Sequence, residues 1–242
     1  MSTTLGWIKK MKKMKIIVLT GAGISAESGL KTFRDADGLW EGHDIMEVAS
    51  PEGFTKNPAL VLDFYNQRRR QLLEVTPNEA HTQIAKLETK NEVVIITQNV
   101  DDLHERAGSS NVLHLHGELL KVRSTQNEYN IKYWDKDIVL GDTCEDGHQL
   151  RPHIVWFGEA VPMFEKAVLE ISNADAVIIV GTSMQVYPAA GLVHYAPKNT
   201  PIYFVDPKPN ISQSFIDNLT IYAEKASTGV KKVVDVLLDN QD

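Results

Sequence analysis

Five short runs along the chain are mostly apolar, without regular polar alternation: 16–20, 93–97, 112–115, 176–180 and 202–205. Runs of this length, rich in Val and Ile, belong to strands buried on both faces, as in a parallel sheet covered by helices. Between them the apolar residues recur at three- and four-residue spacings. Asn57 and Pro58 form an N-cap and first-turn pair ahead of a helix over 59–73, and Pro77 opens another through Leu87. Residues 162–171 and 230–238 carry the same period. Strands alternating with helices predict an α/β fold, a Rossmann-like doubly wound parallel sheet.

Two stretches do not fit such a core. Residues 34–88 place far more chain between the first two strands than one crossover needs, and 121–152 are polar and weakly patterned. Both are expected to build a smaller inserted lobe. The pattern therefore predicts a single domain over 14–240, with a cleft between sheet and lobe as the place for a ligand.

Composition narrows the class. With 242 residues, 43% hydrophobic and 24% charged, the chain is long enough for a sizeable core. A net charge of -7 argues against nucleic acid as the partner, since such binders carry a basic surplus. Residues 1–13 form a locally basic tail whose lysines precede only the short run 16–19, too few apolar residues for an export signal or a membrane span. A cytoplasmic monomer with no membrane partner is expected. Cys144 is the sole cysteine, so neither an internal disulfide nor a cysteine-built zinc site can form.

The first strand runs directly into Gly21-Ala22-Gly23-Ile24-Ser25-Ala26, a G-x-G-x-x-A turn. Its glycines allow positive φ and close backbone approach to a pyrophosphate, and a structural tight turn uses the same glycines. The acidic residue that a dehydrogenase needs at the end of its second strand is missing. Gln98, Asn99, Val100 and Asp101 follow the second apolar run, at the strand end where open α/β sheets hold ligands. Asn99 and Asp101 also suit the capping of a short helix over 102–107. His116, directly before Gly117, titrates in the range a general base needs, although a histidine on a strand also serves as a core residue bonded to backbone. His81, His104, His148 and His153 are read as structural.

Taken in order, Gly21 to Ser25, Ser28 to Asp35 with Phe33 and Arg34, Thr97 to His104, His114 to Gly117, Val155 to Glu159, and Gly181-Thr182-Ser183 resemble the sirtuin family of NAD-dependent protein lysine deacylases. The likeness runs from about Ile16 to Leu238 and is greatest to the bacterial branch related to desuccinylases. It implies NAD as a consumed co-substrate and acylated protein lysines as partners. It further implies that Asp101 and the backbone of Val100 hold the nicotinamide carboxamide, Asn99 orders ribose and water, Phe33 covers the reacting carbon, and His116 is the base. Val155, Phe157 and Gly158 would pair with an extended substrate peptide. Gly181, Thr182, Ser183 and Asp206 would meet ribose, and Ala226 would lie near adenine. Asp206 stands where related sequences more often carry Asn, which leaves an acceptor-only group when ionised.

The chain also departs from that family. Most members carry four zinc-binding cysteines in the small lobe; here Ser124 stands at the first position and only Cys144 remains near the second pair, so no zinc is expected. Tyr65 and Arg68 form a Y-x-x-R on the helix after Pro58. Their spacing puts phenol and guanidinium on one face, able to receive a carboxylate of a succinyl or malonyl group; an exposed arginine run, Arg68 to Arg70, is the plainer outcome. Ala49, shortly before Pro51, resembles the residue of that family that leaves room for a longer acyl chain. The function expected is an NAD-dependent lysine deacylase, with a mono-ADP-ribosyltransferase or a catalytically silent NAD sensor as alternatives.

Overall fold

The computed structural model describes residues 13–31, 39–40, 42–211, 216 and 218–239. Phe33 and Arg34, two residues expected at the site, and the basic tail up to residue 12 lie outside the described residues.

Six parallel strands form the main sheet. They are β1 (Lys15–Thr20), β4 (Glu92–Thr97), β5 (Val112–His114), β9 (Ala176–Val180), β10 (Ile202–Val205) and β11 (Leu219–Tyr222), ordered β11-β10-β9-β1-β4-β5. Two short strands, β2 (Leu39–Trp40) and β3 (His43–Asp44), pair elsewhere. Within β1, Ile16 and Val18 enter one core and Ile17 and Leu19 the other, which is why its sequence is apolar throughout. One face is covered by α4 (Glu79–Lys86) and α7 (Ala226–Asp239), the other by α6 (Phe164–Ile171) and the 3-10 turns of Ala189–Tyr195. The chain leaves β1 toward one edge and β9 toward the other, so the strand order reverses between them, and β1 pairs with β9 along Ile16–Thr20.

The smaller lobe is built from α1 (Ile45–Val48), α2 (Pro51–Lys56), α3 (Pro58–Glu74) and an antiparallel sheet. That sheet has β6 (Gly117–Ser124) between β7 (Ile131–Tyr133) and β8 (Leu150–Ile154). The helix expected over 59–73 is α3; Asn57 Oδ1 accepts from the Leu60 N–H, 3.2 Å, and Pro58 occupies its first turn. The expected lobe boundary at residue 88 is corrected. Ala80, Ile84 and Leu87 pack into the main core against α7, because α4 directs its apolar stripe to the sheet. Its start is also later than Pro77: Asn78 is the cap, with the Asn78 N–H donating to His81 Nδ1. The polar and weakly patterned stretch 121–152 contains β7 and parts of β6 and β8. Buried positions of β6 and β8 are taken in part by Arg123, Ser124 and Arg151, and β7 is largely exposed, so the apolar signal is diluted. A fifth helix, α5 (Leu103–Arg106), follows β4. Among the described residues no helix is long and apolar enough to cross a membrane.

At the far end of the lobe, Leu62, Val122, Ile138, Cys144 and Leu150 form a buried apolar plug against Phe54 and Trp134. Ser124 is buried, its hydroxyl oxygen accepting the Gln126 N–H at 3.1 Å. No group of three or more metal-ligating side chains is found among the described residues. The expected outcome of strong chelation is an unchanged melting temperature, with metal analysis finding no stoichiometric zinc. A tightly bound zinc whose removal unfolds the lobe would contradict this reading of the plug.

Candidate active site

The loops after β1 and β9 meet at the point where the strand order reverses. The Gly21 N–H donates to the Val180 carbonyl at 3.1 Å and the Gly23 N–H to the Gly181 carbonyl at 2.8 Å. A Cβ on Gly23 would lie 2.6 Å from Gly181 Cα, and one on Gly181, at φ +60, would lie 2.3 Å from the Ile24 nitrogen. The backbones therefore touch, and a cavity of about 740 Å³ opens above them toward the small lobe.

Gly21, Ala22, Gly23, Ser25, Gln98, Asn99, Val100, Asp101 and His116 line it, as do Gly181, Thr182, Ser183 and Asp206. From the lobe side Ala49, Tyr65, Arg68, Val155, Phe157 and Gly158 line it too. Ala226 does not. It starts α7 inside the main core, and the turn at its N-terminus is held by Glu27, whose carboxylate accepts from the Ser227 N–H at 3.0 Å and hydroxyl at 2.7 Å.

A polar chain crosses the floor. Ser25 Oγ donates to Asp101 Oδ2 at 2.9 Å, and Asn99 Nδ2 donates to Ser25 Oγ at 3.1 Å and to the Gly21 carbonyl at 3.2 Å. Gln98 Nε2 donates to Thr182 Oγ1 at 3.1 Å, tying β4 to the loop after β9. Asp101 Oδ1 also accepts the Leu103 N–H at 3.2 Å, one residue ahead of the α5 N-cap Asp102, so it bonds to the helix start while lining the cavity; the Asn99 side chain bonds elsewhere. Burial pushes the Asp101 carboxyl up to about 6, against the opposing hydrogen bonds from Ser25 and Leu103.

The two histidines differ. His116 lies on the bend between β5 and β6, not on the strand expected over 112–115. Its Nδ1 is 3.0 Å from the Gln98 carbonyl, which can only accept, so Nδ1 carries the proton and Nε2 keeps a lone pair. Burial holds its pKa below the ordinary histidine value, with the Gln98 bond opposing. His114 instead sits between the Asn99 carbonyl at 3.2 Å and Glu105 Oε1 at 2.8 Å. Burial opposes its charge, but Glu105 outweighs burial and raises its pKa, so both nitrogens are committed as donors when it is charged. Gly117 follows His116 at φ +82, with the His153 carbonyl 2.1 Å from where a Cβ would stand; only glycine makes this turn.

The arginine run splits three ways. Arg70 pairs with Asp137 on the surface, and Arg69 is fully buried, donating to the Leu119 carbonyl and Asn66 Oδ1. Arg68 is half-buried in the cavity wall, its guanidinium 3.8 Å over the Phe64 ring. Tyr65 has no exposed surface, and burial raises its phenol well above the ordinary value. Val155, Phe157 and Gly158 were expected along a pairing edge. They lie past the end of β8, and the N–H groups of Val155 and Phe157 already donate to the His116 and Ala49 carbonyls at 2.9 Å. Sequence reasoning assigned no role to Trp156, Glu159 or Lys208, which also line the cavity. The Trp156-x-x-Glu159 spacing was the available signal for the first two.

A cavity at the switch point of a doubly wound sheet, with a glycine turn and amide and hydroxyl groups on its floor, is that of a dinucleotide-using enzyme. The Sir2 family model matches residues 21–188, and the chain belongs to the Sir2 family. An NAD-dependent protein deacylase of Helicobacter pylori (strain ATCC 700392 / 26695) is 65% identical over 193 residues, covering 80% of this chain and 84% of that protein. Another, from Bacteroides thetaiotaomicron, is 51% identical over 229 residues, covering 92% and 97%. A crystal structure of a Sir2 homologue in complex with NAD superposes with a TM-score of 0.84 at 37% identity, covering 94% of this chain and 91% of that one.

The raised Asp101 value makes a stability prediction. The folded protein holds that proton more tightly than the unfolded chain does, whose carboxylate titrates near 3.8. Stability from this group is therefore full below about pH 4 and lost as pH rises through about 6. Replacing Asp101 by Asn removes the cost of the buried charge. Relative to wild type, Asp101→Asn should show little change at about pH 4 and a gain of about 2–3 kcal/mol above about pH 7. Urea melts at the two pH values check it, and a pH-independent difference would contradict it.

Proposed function

We propose that this chain is an NAD-dependent protein lysine deacylase that transfers an acyl group from lysine to ADP-ribose, releasing nicotinamide, and that it takes acidic acyl groups as well as acetyl. The observation that carries the reading is the single cavity joining the glycine turn, the Asn99–Ser25–Asp101 chain and a deprotonated His116 nitrogen. NAD, when bound, would supply an electron-poor ribose carbon that bonds the acyl oxygen as nicotinamide leaves, and a ribose hydroxyl that bonds the acyl carbon; one water is taken up as the lysine amine leaves, giving O-acyl-ADP-ribose. The residues present fit it. Gly21, Ala22, Gly23 and Ser25, in backbone contact with Gly181, line the dinucleotide's place together with Thr182 and Ser183, and Asp206, just past β10, is an acceptor for ribose hydroxyls. Phe33 and Arg34 belong to the same group by resemblance.

Each remaining residue has one task. Asp101 and the Val100 backbone hold the carboxamide, and Asn99, held by Gly21 and Ser25, orders the neighbouring ribose and water. His116 Nε2 removes the proton from the ribose hydroxyl as that oxygen attacks the acyl carbon. Its lowered pKa keeps the nitrogen unprotonated at neutral pH. The acyl-lysine enters past Val155, Phe157 and Gly158. Because the Val155 and Phe157 N–H groups are engaged, a substrate strand pairs here with carbonyls. Ala49 leaves space at the inner end, where Tyr65 and Arg68 receive a distal carboxylate.

His116→Ala should lower acyl transfer about 10²–10⁴-fold while the protein still folds and retains NAD. Near wild-type deacylation by the folded variant would remove the base assignment. Arg68→Met should lower the succinyl-to-acetyl ratio of kcat/KM about 10- to 150-fold, the equivalent of a charge-assisted hydrogen bond of roughly 1.5–3 kcal/mol. The assay uses one peptide bearing either acyl group, and parallel changes on the two would reject the carboxylate role.

A further inference from the structure

We infer that His114 is a positioning residue for nicotinamide capture: it holds the Asn99 carbonyl and so directs the Val100 N–H, on the other side of the same peptide plane, into the cavity. This rests on the carboxamide role given above to Val100 and Asp101 and adds a residue that the reading does not use.

The successive carbonyls from Thr97 to Val100 each accept a donor from 114–119. The Thr97 carbonyl takes the Leu115 N–H at 2.9 Å, Gln98 takes His116 Nδ1 at 3.0 Å, Asn99 takes His114 Nδ1 at 3.2 Å, and Val100 takes the Leu119 N–H at 2.8 Å. The pairing of β4 with β5 stops at Thr97, so the two imidazoles continue a ladder that strand N–H groups no longer reach. A trans peptide unit is planar, with its C=O and the next N–H on opposite sides. The His114 contact therefore fixes the Asn99–Val100 plane, and the Leu119 contact fixes the next one. Val100 lines the cavity and His114 does not, so the Asn99 carbonyl points away from the cavity and the Val100 N–H toward it. Among the described residues nothing accepts that N–H.

The ring is braced from its other nitrogen. His114 Nε2 lies 2.8 Å from Glu105 Oε1 on α5, and 7% of the His114 side chain is exposed. A carbonyl and a carboxylate only accept, so keeping both contacts takes a proton on each nitrogen. Burial opposes that charge, and Glu105 and Glu118 favour it. Asn99 and Glu105 stand at the two ends of the stretch that carries Val100 and Asp101, so one imidazole closes that stretch into a loop. Within it the Leu103 N–H steadies Asp101.

The test compares His114→Gln with His114→Asn. The amide nitrogen of Gln stands near Nε2 of the ring it replaces and keeps the Glu105 contact, whereas that of Asn stands near Nδ1 and keeps the Asn99 contact. His114→Gln should raise the constant for inhibition by nicotinamide roughly 5- to 30-fold, the effect of a buried carbonyl left without its donor. The inhibition constant of ADP-ribose, which has no carboxamide, should stay at the wild-type value, and His114→Asn should leave both constants there. An unchanged nicotinamide constant in His114→Gln overturns the inference. So does equal behaviour of the two variants with both constants moving together, which is what a merely structural role predicts. If His114→Gln does not fold, His114→Leu, which removes both contacts at similar volume, should show the same selective rise. When Asp101→Ala raises the nicotinamide constant and the His114 variants do not, the inference alone fails. When none of them raises it, the carboxamide reading fails and takes the inference with it.

Discussion

The backbone contact between the Gly21–Gly23 turn and Gly181 is what the rest of the site depends on. Two parallel strands whose crossovers depart in opposite directions leave a gap at their carboxyl ends, and side chains there would fill it. Glycine on both loops lets the chains close to direct hydrogen bonding instead, so the cavity begins at the backbone. Gln98 then bridges β4 to Thr182, and Asn99 reaches back to Gly21, so the polar floor is registered on the same contact. A methyl group at Gly23 would have to push Gly181 away and move every partner with it.

From that floor, backbone carbonyls set the chemistry of side chains. The Gln98 carbonyl selects the tautomer of His116 and leaves its Nε2 a lone pair, whereas the Glu105 carboxylate at a similar distance raises the pKa of His114 against its burial. Two histidines separated by one residue thus differ in task because of what their nitrogens face, with Gly117 permitting the turn after the second.

Much of this was written in the sequence. Strands buried on both faces leave a run such as 176–180 that reads plainly, and α3 carried its cap at Asn57 and its first-turn proline. Members of the site on strand ends and glycine turns were legible for the same reason. The antiparallel sheet of the small lobe was not, since β7 buries little and β6 contains a register shift between Glu118 and Val122 that breaks its alternation. The placement of α4 was also hidden: its apolar stripe shows that it packs, not on which body. Ala226 was assigned by motif position alone, and the Glu27 carboxylate at the start of α7 has no local signal. The different fates of Arg68, Arg69 and Arg70 follow from helix rotation against β6, which three identical letters cannot show.

In the proposed reaction the two ends of the cavity carry its two halves, a dinucleotide over the glycine turn and an acyl-lysine reaching α3, with His116 between them. Mass spectrometry of the products formed from NAD and a single acyl-lysine peptide tests this most directly. The account predicts free nicotinamide, the peptide lighter by its acyl group, and O-acyl-ADP-ribose in matching amounts. A peptide heavier by ADP-ribose, or NAD bound but left intact, would contradict it.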